Sequence, residues 1–376
     1  MRKKKIRIKS ITKIVGSVLL AILTVGILTV LAARMVIYFS NHIRTENGVD
    51  EGIYVTLGGQ EQYLLIRGED VSNPVIIWLH GGPSSPDTFV NYVFQKELVD
   101  EYTIINWDQR GCGRTYFRNK ENDTNNETAT FEQAQADLDD LVDYACERFD
   151  KEQVIIIGHS YGTLLGSKYV LEKPDKVLAY IGVGQFVDLE SETYSYQDAL
   201  ARAKENGDDT AEMEAAYQEY AKEGTLISML KVRKYTGKYH VAEKSANTIL
   251  AGLCSPYMGI DDFRWFFKQM GDMEKYLALN RQLFDLLLTT DVKDNGLEYQ
   301  VPVGFISGAD DWTTPVKYAE DYCNLIDAPV KKTAWIEGCG HAPQYDDPEV
   351  FCEALWCMLT NFTGMGEKSI GSMIFE

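Results

Sequence analysis

The stretch VIIIGHSYGTLLG, residues 154–166, constrains the fold of this chain more than any other. Four apolar residues run into Gly158, a second apolar run follows Gly162, and Ser160 stands midway. An unbroken apolar run is the mark of a strand buried on both faces, and the run after it has the length and spacing of a helix. A buried strand must therefore become a helix within a few residues. In so sharp a turn, a side chain two residues before or after the serine collides with neighbouring elements, and glycine fits both places. The serine sits in strained backbone with its hydroxyl exposed, and the next N–H opens the helix.

The same grammar recurs along the chain. VIIWLH (75–80), YTIINWD (102–108) and VLAYIGVG (177–184) are further apolar runs, and FEQAQADLDDLVDYACERF (131–149) carries its apolar residues at helical spacing. Strands apolar on both faces, alternating with helices, predict an α/β fold with a mostly parallel central sheet and helices on both faces. GIYVTLGGQEQYLLIRG (52–68) reads as a hairpin around Gly58 and Gly59. From residue 185 to 299 strand signals stop, and the sequence turns helical, acidic and tyrosine-rich. Strands resume with VPVGFISG (301–308) and KTAWIEG (332–338), and a last helix runs over 348–361. The expected organisation is a core of 45–184 and 300–376 with an all-helical cap, 185–299, inserted before the last two strands.

Residues 1–44 stand apart. They hold nine of the 37 Lys and Arg and none of the 56 Asp and Glu. Seven of those cations precede IVGSVLLAILTVGILTVLAA (14–33), which has no charge and about the 20 residues that a bilayer crossing needs. The bias of cations predicts a single-pass anchor in the cell membrane, with a cytoplasmic N-terminus and the body outside. A signal peptide cut after Leu31-Ala32-Ala33 is the rival, but its apolar core is usually about 7–15 residues, and this one is longer. SNHIRTENGVDEG (40–52) then reads as a short polar stalk.

The rest of the chain is more acidic than the formal −19 of the whole. Such a surface repels nucleic acid and lacks the cationic footprint that binding it needs, so no nucleic-acid partner is expected. The seven cysteines show neither CxxC nor metal-type spacing with histidine, and they read as buried, unpaired side chains. No metal, dinucleotide or other cofactor is expected.

A nucleophilic serine needs a base, an acid that orients it, and donors for the oxyanion. On a sheet with this turn the acid follows the serine and the histidine comes last. Only His240 and His341 lie after Ser160. His240 falls inside the helical insertion, whereas His341 follows a strand in WIEGCGHAPQ, so His341 is the candidate base. The candidate acid follows the preceding strand in VGFISGADDWTTP: Asp311, with Asp310 as the alternative. WLHGGPSSP (78–86) is the candidate oxyanion loop. Pro83 has no N–H, but Gly81 and Gly82 can donate, and Gly82 paired with the Tyr161 N–H is the favoured hole. One such donor contributes about 3–4 kcal/mol in the transition state.

Together HGGP, NWDQRGCGRT (106–115), GHSYGT, GADDWTTP and GCGHAPQYDDPE resemble the proline iminopeptidase group of α/β-hydrolases, over about residues 52–359. The DQRG-x-G-R segment is the most specific part. The resemblance implies a serine peptidase that removes an N-terminal residue, often proline, from small peptides, beneath a helical cap whose acidic residues bind the free amine. It implies Ser160 as nucleophile, Asp311 as orienting acid, His341 as base, and Gly82 with Tyr161 as oxyanion hole. Asp108, Gln109, Arg110 and Arg114 match the specific segment, and their expected role is structural: a loop held by an Asp–Arg pair beside the oxyanion loop. Two features depart from the group. Tyr161 stands where a Trp usually follows the serine, and the cap lacks the group's Trp-Glu pattern. The amine-binding acids are therefore not carried over. Glu190 and Glu192, in DLESE close behind the sixth strand, are the candidate anchors, with helix-surface carboxylates as the alternative. Trp265, Phe266 and Phe267 are candidates for an apolar pocket wall or for packing between cap and sheet.

Three functions follow in order: a membrane-anchored serine aminopeptidase acting on small peptides, a carboxylesterase or lipase-like hydrolase acting on esters with the same triad, and a non-catalytic binding module. Enzymes with Asp at the nucleophile position are disfavoured by Ser160.

Overall fold

The computed structural model describes residues 2–364, with side chains from Ile14 onward. The basic side chains before Ile14 and residues 365–376, expected to form the cytoplasmic tail and the end of the core, lie outside it. Helix α1 (Arg2–Asn41) leads into strands β1 (Val49–Leu57) and β2 (Gln60–Gly68). There follow β3 (Val75–Leu79), α2 (Tyr92–Gln95), β4 (Thr103–Asp108), α3 (Gly113–Asn119), α4 (Phe131–Phe149), β5 (Val154–His159), α5 (Tyr161–Glu172) and β6 (Val177–Val183). Between β6 and the next strand stand α6 (Glu190–Asn206), α7 (Ala211–Glu223), α8 (Leu226–Thr236), α9 (Thr248–Cys254), α10 (Ile260–Met270), α11 (Met273–Leu279) and α12 (Arg281–Leu287). The chain continues through β7 (Val303–Gly308), α13 (Val316–Leu325), β8 (Lys331–Ile336), α14 (Pro343–Asp346) and α15 (Pro348–Thr363).

The strands form one eight-stranded sheet in the order β1-β2-β4-β3-β5-β6-β7-β8. The hairpin β1–β2 and the β2–β4 pair are antiparallel; every other pair is parallel. Alternate side chains of each central strand go to opposite faces. On β3, Val75, Ile77 and Leu79 join Leu138, Leu141 and Leu165 of α4 and α5, whereas Ile76 and Trp78 join Phe351, Leu355 and Met358 of α15. Both faces are thus dry, which is why the strand sequences read as unbroken apolar runs.

Helix α1 includes a span, Ile14–Asn41, of mean hydropathy 2.7 that is long and apolar enough to cross a membrane, and the body does not bury it. Its last turns are not free of the body, however. Val30, Ala33, Arg34 and Ile37 are partly covered, and α1 packs on α9. The expected polar stalk is a docked segment instead: Ile43 is buried, His42 Nδ1 lies 3.0 Å from the Asp50 carboxylate, and the buried Arg67 guanidinium bonds the Asn41 carbonyl. Arg67 drives this. A guanidinium buried beside the sheet edge must find acceptors, and Asp50 and Asn41 supply them.

Candidate active site

Ser160 joins β5 to α5 with φ 53° and ψ −119°, a conformation that L side chains rarely adopt. A Cβ on Gly158 would lie 2.4 Å from the Gly162 carbonyl oxygen, and one on Gly162 would lie 2.2 Å from that of Leu79. Both contacts are with backbone, which cannot give way, so glycine is required on either side. The strain costs of order 1–3 kcal/mol and is held by neighbours. Ser160 N–H donates to Val183 at 2.9 Å, and the Thr163 hydroxyl donates back to the Ser160 carbonyl at 2.6 Å.

The loop after β7 carries Asp311 and the loop after β8 carries His341. His341 Nε2 lies 2.9 Å from Ser160 Oγ, and His341 Nδ1 lies 2.9 Å from Asp311 Oδ2. Asp311 is buried and richly solvated by protein. The N–H groups of Thr313 and Thr314 donate to Oδ1 at 2.8 and 2.9 Å, and the Thr314 hydroxyl donates to Oδ2 at 2.8 Å. Burial opposes its ionisation, but the facing His341 and the donors from His341 and Thr314 outweigh that and hold its carboxyl below the ordinary value. Behind His341 stands His159, whose Nε2 lies 2.9 Å from the His341 carbonyl oxygen and whose pKa burial pushes down to about 4. His159 is therefore neutral near pH 7 and donates to that carbonyl. Asp310 takes no part in this line; its N–H donates to the Cys339 carbonyl. His240 lies against Asp198 and stacks on Trp312.

The loop after β3 approaches from the other side. A Cβ on Gly81 would lie 3.1 Å from that of Ser160, and one on Gly82, at φ 121°, would lie 2.7 Å from the N atoms of Ser84 and Ser85. Gly82 and Tyr161 line one cavity with Ser160. Tyr161 is the first residue of α5, where N–H groups have no partner within the helix. Beneath the loop, buried His80 is pushed down to about 4 by burial, and its Nδ1 lies 2.8 Å from the Gly81 carbonyl oxygen. From above, the cap grips the loop: Trp265 Nε1, Tyr276 OH and Gln269 Nε2 all donate to the Ser84 carbonyl, at 3.0, 3.1 and 3.2 Å.

In the DQRGCGR segment Asp108 and Arg110 do not pair with each other. Arg110 turns away to Asp137 on α4, with Nε and Nη2 at 2.7 and 2.8 Å, and to the Gly58 carbonyl at 2.8 Å. Asp137 is buried, and Arg110 is its ion-pair partner. Asp108 instead accepts from the Arg114 N–H at 2.9 Å and from the Thr88 hydroxyl at 2.7 Å. Burial and the nearby Asp262 push its carboxyl up. The Arg114 side chain crosses to the cap and bonds both oxygens of Asp262 on α10. One segment thus ties the hairpin to α4 and the core to the cap.

The cap closes a cavity of about 380 Å³ over Ser160. Its far wall is apolar, with Met229, Phe266, Leu277 and Phe284, and its polar corner is Glu192 and Arg233. Glu192 is buried and already bonded by Arg233 through Nε at 3.1 Å and through Nη2. Glu190, the other candidate anchor, points into solvent from the first turn of α6 and does not line the cavity. The aromatic triplet divides: Trp265 packs among Tyr116, Phe117 and Tyr276, Phe266 lines the cavity, and Phe267 is exposed. Reading the sequence missed Arg233, Thr313 and Thr314, His159 and the donors on Ser84. GADDWTTP did carry a signal, since hydroxyl residues two and three places past an acid are a standard local turn partner. The seven cysteines are unpaired, and among the described residues no cluster of His, Cys, Asp or Glu is placed to hold a metal ion.

Residues 74–348 match a family described as alpha/beta hydrolase fold. The Bacillus subtilis protein named "Probable aminopeptidase YbaC" is 26% identical over 309 residues, covering 80% of this chain and 93% of its own. Heyndrickxia coagulans proline iminopeptidase is 26% identical over 316 residues, covering 80% and 95%. Among solved structures, proline iminopeptidase of Mycobacterium smegmatis superposes with a TM-score of 0.58 at 18% identity, covering 83% of this chain and 98% of that one.

Proposed function

This chain belongs to the α/β-hydrolase fold family, and on that premise we propose that it is a serine hydrolase, held to the membrane by α1, that releases the N-terminal residue of small peptides. The observation that carries the reading is the unbroken line from Ser160 Oγ through His341 to Asp311, at 2.9 Å for each step. In it, His341 Nε2 takes the hydroxyl proton as Oγ attacks the scissile carbonyl. Asp311 fixes the ring by its Nδ1–H and stabilises the imidazolium. The N–H groups of Gly82 and Tyr161 receive the oxyanion. His341 then protonates the leaving amine, and water releases the acyl group by the same steps in reverse.

The names of relatives that span most of the chain support peptide amines as the leaving groups. Within the cavity, the carboxylate of Glu192 is the group suited to a substrate's free amine. A second reading has its own observation. Glu192 is already neutralised by Arg233 and the facing wall is apolar, which suits an ester with an apolar acyl or alcohol part. For the anchor, seven cations before an uncharged span support a cytoplasmic N-terminus and an outward body.

The deciding experiment is a panel of aminoacyl arylamides against aryl esters, run on the full chain in detergent. The peptidase reading expects arylamide turnover that N-acetylation of the substrate abolishes and that Glu192→Gln weakens through KM. Ester turnover without arylamide turnover would replace it by the second reading. Fluorophosphonate labelling that survives Ser160→Ala would remove both.

A further inference from the structure

We propose that the face of the cap formed by α9, α10 and the start of α11 lies on the bilayer that α1 crosses, so that the apolar groove on this face opens against lipid. The proposal rests on the reading of α1 as a membrane anchor.

The first observation is a patch with no partner in the fold. Ile249 and Leu250 on α9, and Ile260, Phe267 and Met270 on α10, are between 53% and 77% exposed. Single exposed apolar side chains are ordinary, but several on adjoining helices mark an interaction surface. Ile249 and Phe267, with Leu253, Met258, Phe263 and Phe266, line an apolar groove of about 500 Å³. Phe266 also lines the cavity over Ser160, so groove and cavity share a wall.

The second observation fixes the height of this patch. The uncharged run 14–33 is 20 residues long, which at 1.5 Å per residue is about the 30 Å of the hydrocarbon core. Arg34 therefore marks the edge of the hydrocarbon. Its guanidinium is held by the body: Nε donates to the Ser255 carbonyl at 2.7 Å and Nη2 to the Met258 carbonyl. Those carbonyls belong to the link between α9 and α10. One turn deeper, Val30 is partly covered, and α1 packs on α9. The link is thus clamped at the depth where acyl chains meet headgroups, and Met258 carries both an Arg34 bond and a side chain in the groove. A face at that depth meets lipid before it meets a second copy of the chain or a soluble partner. Apolar side chains there bury into the interface as those of an amphipathic surface helix do.

The test uses the full chain in vesicles of phosphatidylcholine brominated near the headgroup end of the acyl chains. Leu31→Trp reports on the anchor and Phe267→Trp on the cap, each read as added fluorescence over the parent with its six tryptophans. We expect the added signal of both chains to be quenched by bromine to a comparable degree. Quenching at 31 without quenching at 267 overturns the proposal and spares the anchor, whether the face then proves to be wet or covered by a second copy. Absence of quenching at 31 overturns the anchor reading and the proposal with it. Should Phe267→Trp fail to label with fluorophosphonate, Ile249→Trp serves as the second reporter on the same face.

Discussion

Trp265, in the cap, donates its indole N–H to the backbone carbonyl of Ser84, 3.0 Å away, in the loop that carries Gly82. Tyr276 and Gln269 set two more donors on the same oxygen. The cap therefore braces the loop that carries Gly82 as well as roofing the cavity.

Removing that donor while keeping an aromatic ring should weaken catalysis more than binding. Trp265→Phe is expected to lower kcat about tenfold, the worth of one hydrogen bond near 1.4 kcal/mol, with a smaller change in KM. Steady-state kinetics beside a melting curve check it; an unchanged kcat at wild-type stability denies the brace a role.

In the proposed mechanism Asp311 orients His341, so Asp311→Asn should keep the fold and lower kcat by roughly 10⁴, because an amide facing Nδ1 favours the wrong tautomer. The rate of fluorophosphonate labelling should fall with it. A loss of less than about tenfold would move the orienting role elsewhere.

Gly162→Ala should damage folding before it damages chemistry. Its Cβ would meet the Leu79 carbonyl at 2.2 Å, a contact with strand backbone. Overpacking of this kind costs about 1–3 kcal/mol, and more where backbone must move. Soluble yield and melting temperature are the readouts.

His159 predicts an acid limb of stability. Burial lowers its folded pKa to about 4, below the ordinary 6.5. The unfolded chain then binds more protons between those values. The contribution of His159 is fully present above pH 6.5 and is lost as pH falls towards 4, at about 1.4 kcal/mol for each pH step of one across that window. Urea unfolding from pH 4 to 8 should show a shallower acid slope for His159→Gln than for the parent.

Arg114→Met cuts the tie between core and cap and strands the buried carboxylate of Asp262. Such a loss costs about 3–5 kcal/mol. Hydrogen exchange should quicken in α10 while β3 and β5 stay protected, and the double change Arg114→Met with Asp262→Leu should recover much of the protection.

What was legible in the sequence was local. Apolar runs two faces deep announced the parallel strands, and the glycines at 158 and 162 announced the turn at Ser160, because a strand and its next helix are neighbours in the chain. His341 and Asp311 were legible because each follows a strand directly, and parallel strands end on one side of a sheet. What stayed hidden was long-range. Arg233 reaches Glu192 across two cap helices, and nothing in either segment names the other. Trp265 meets Ser84 from 181 residues away. Arg110 pairs with Asp137 on α4, 27 residues away, and no motif records that neighbour. The polar look of residues 40–52 likewise concealed how firmly Arg67 and Ile43 fasten them down.

That fastening has a mechanical meaning. Between the apolar span of α1 and the first strand, Arg34, Asn41, His42 and Ile43 are each bolted to the body. With α1 in a bilayer, as proposed above, the body would ride at one altitude and one tilt, like a lamp on a welded bracket. A cut near Ala33 would therefore leave Arg34, with its bonds to the Ser255 and Met258 carbonyls, on the released body, and the link between α9 and α10 would keep its clamp.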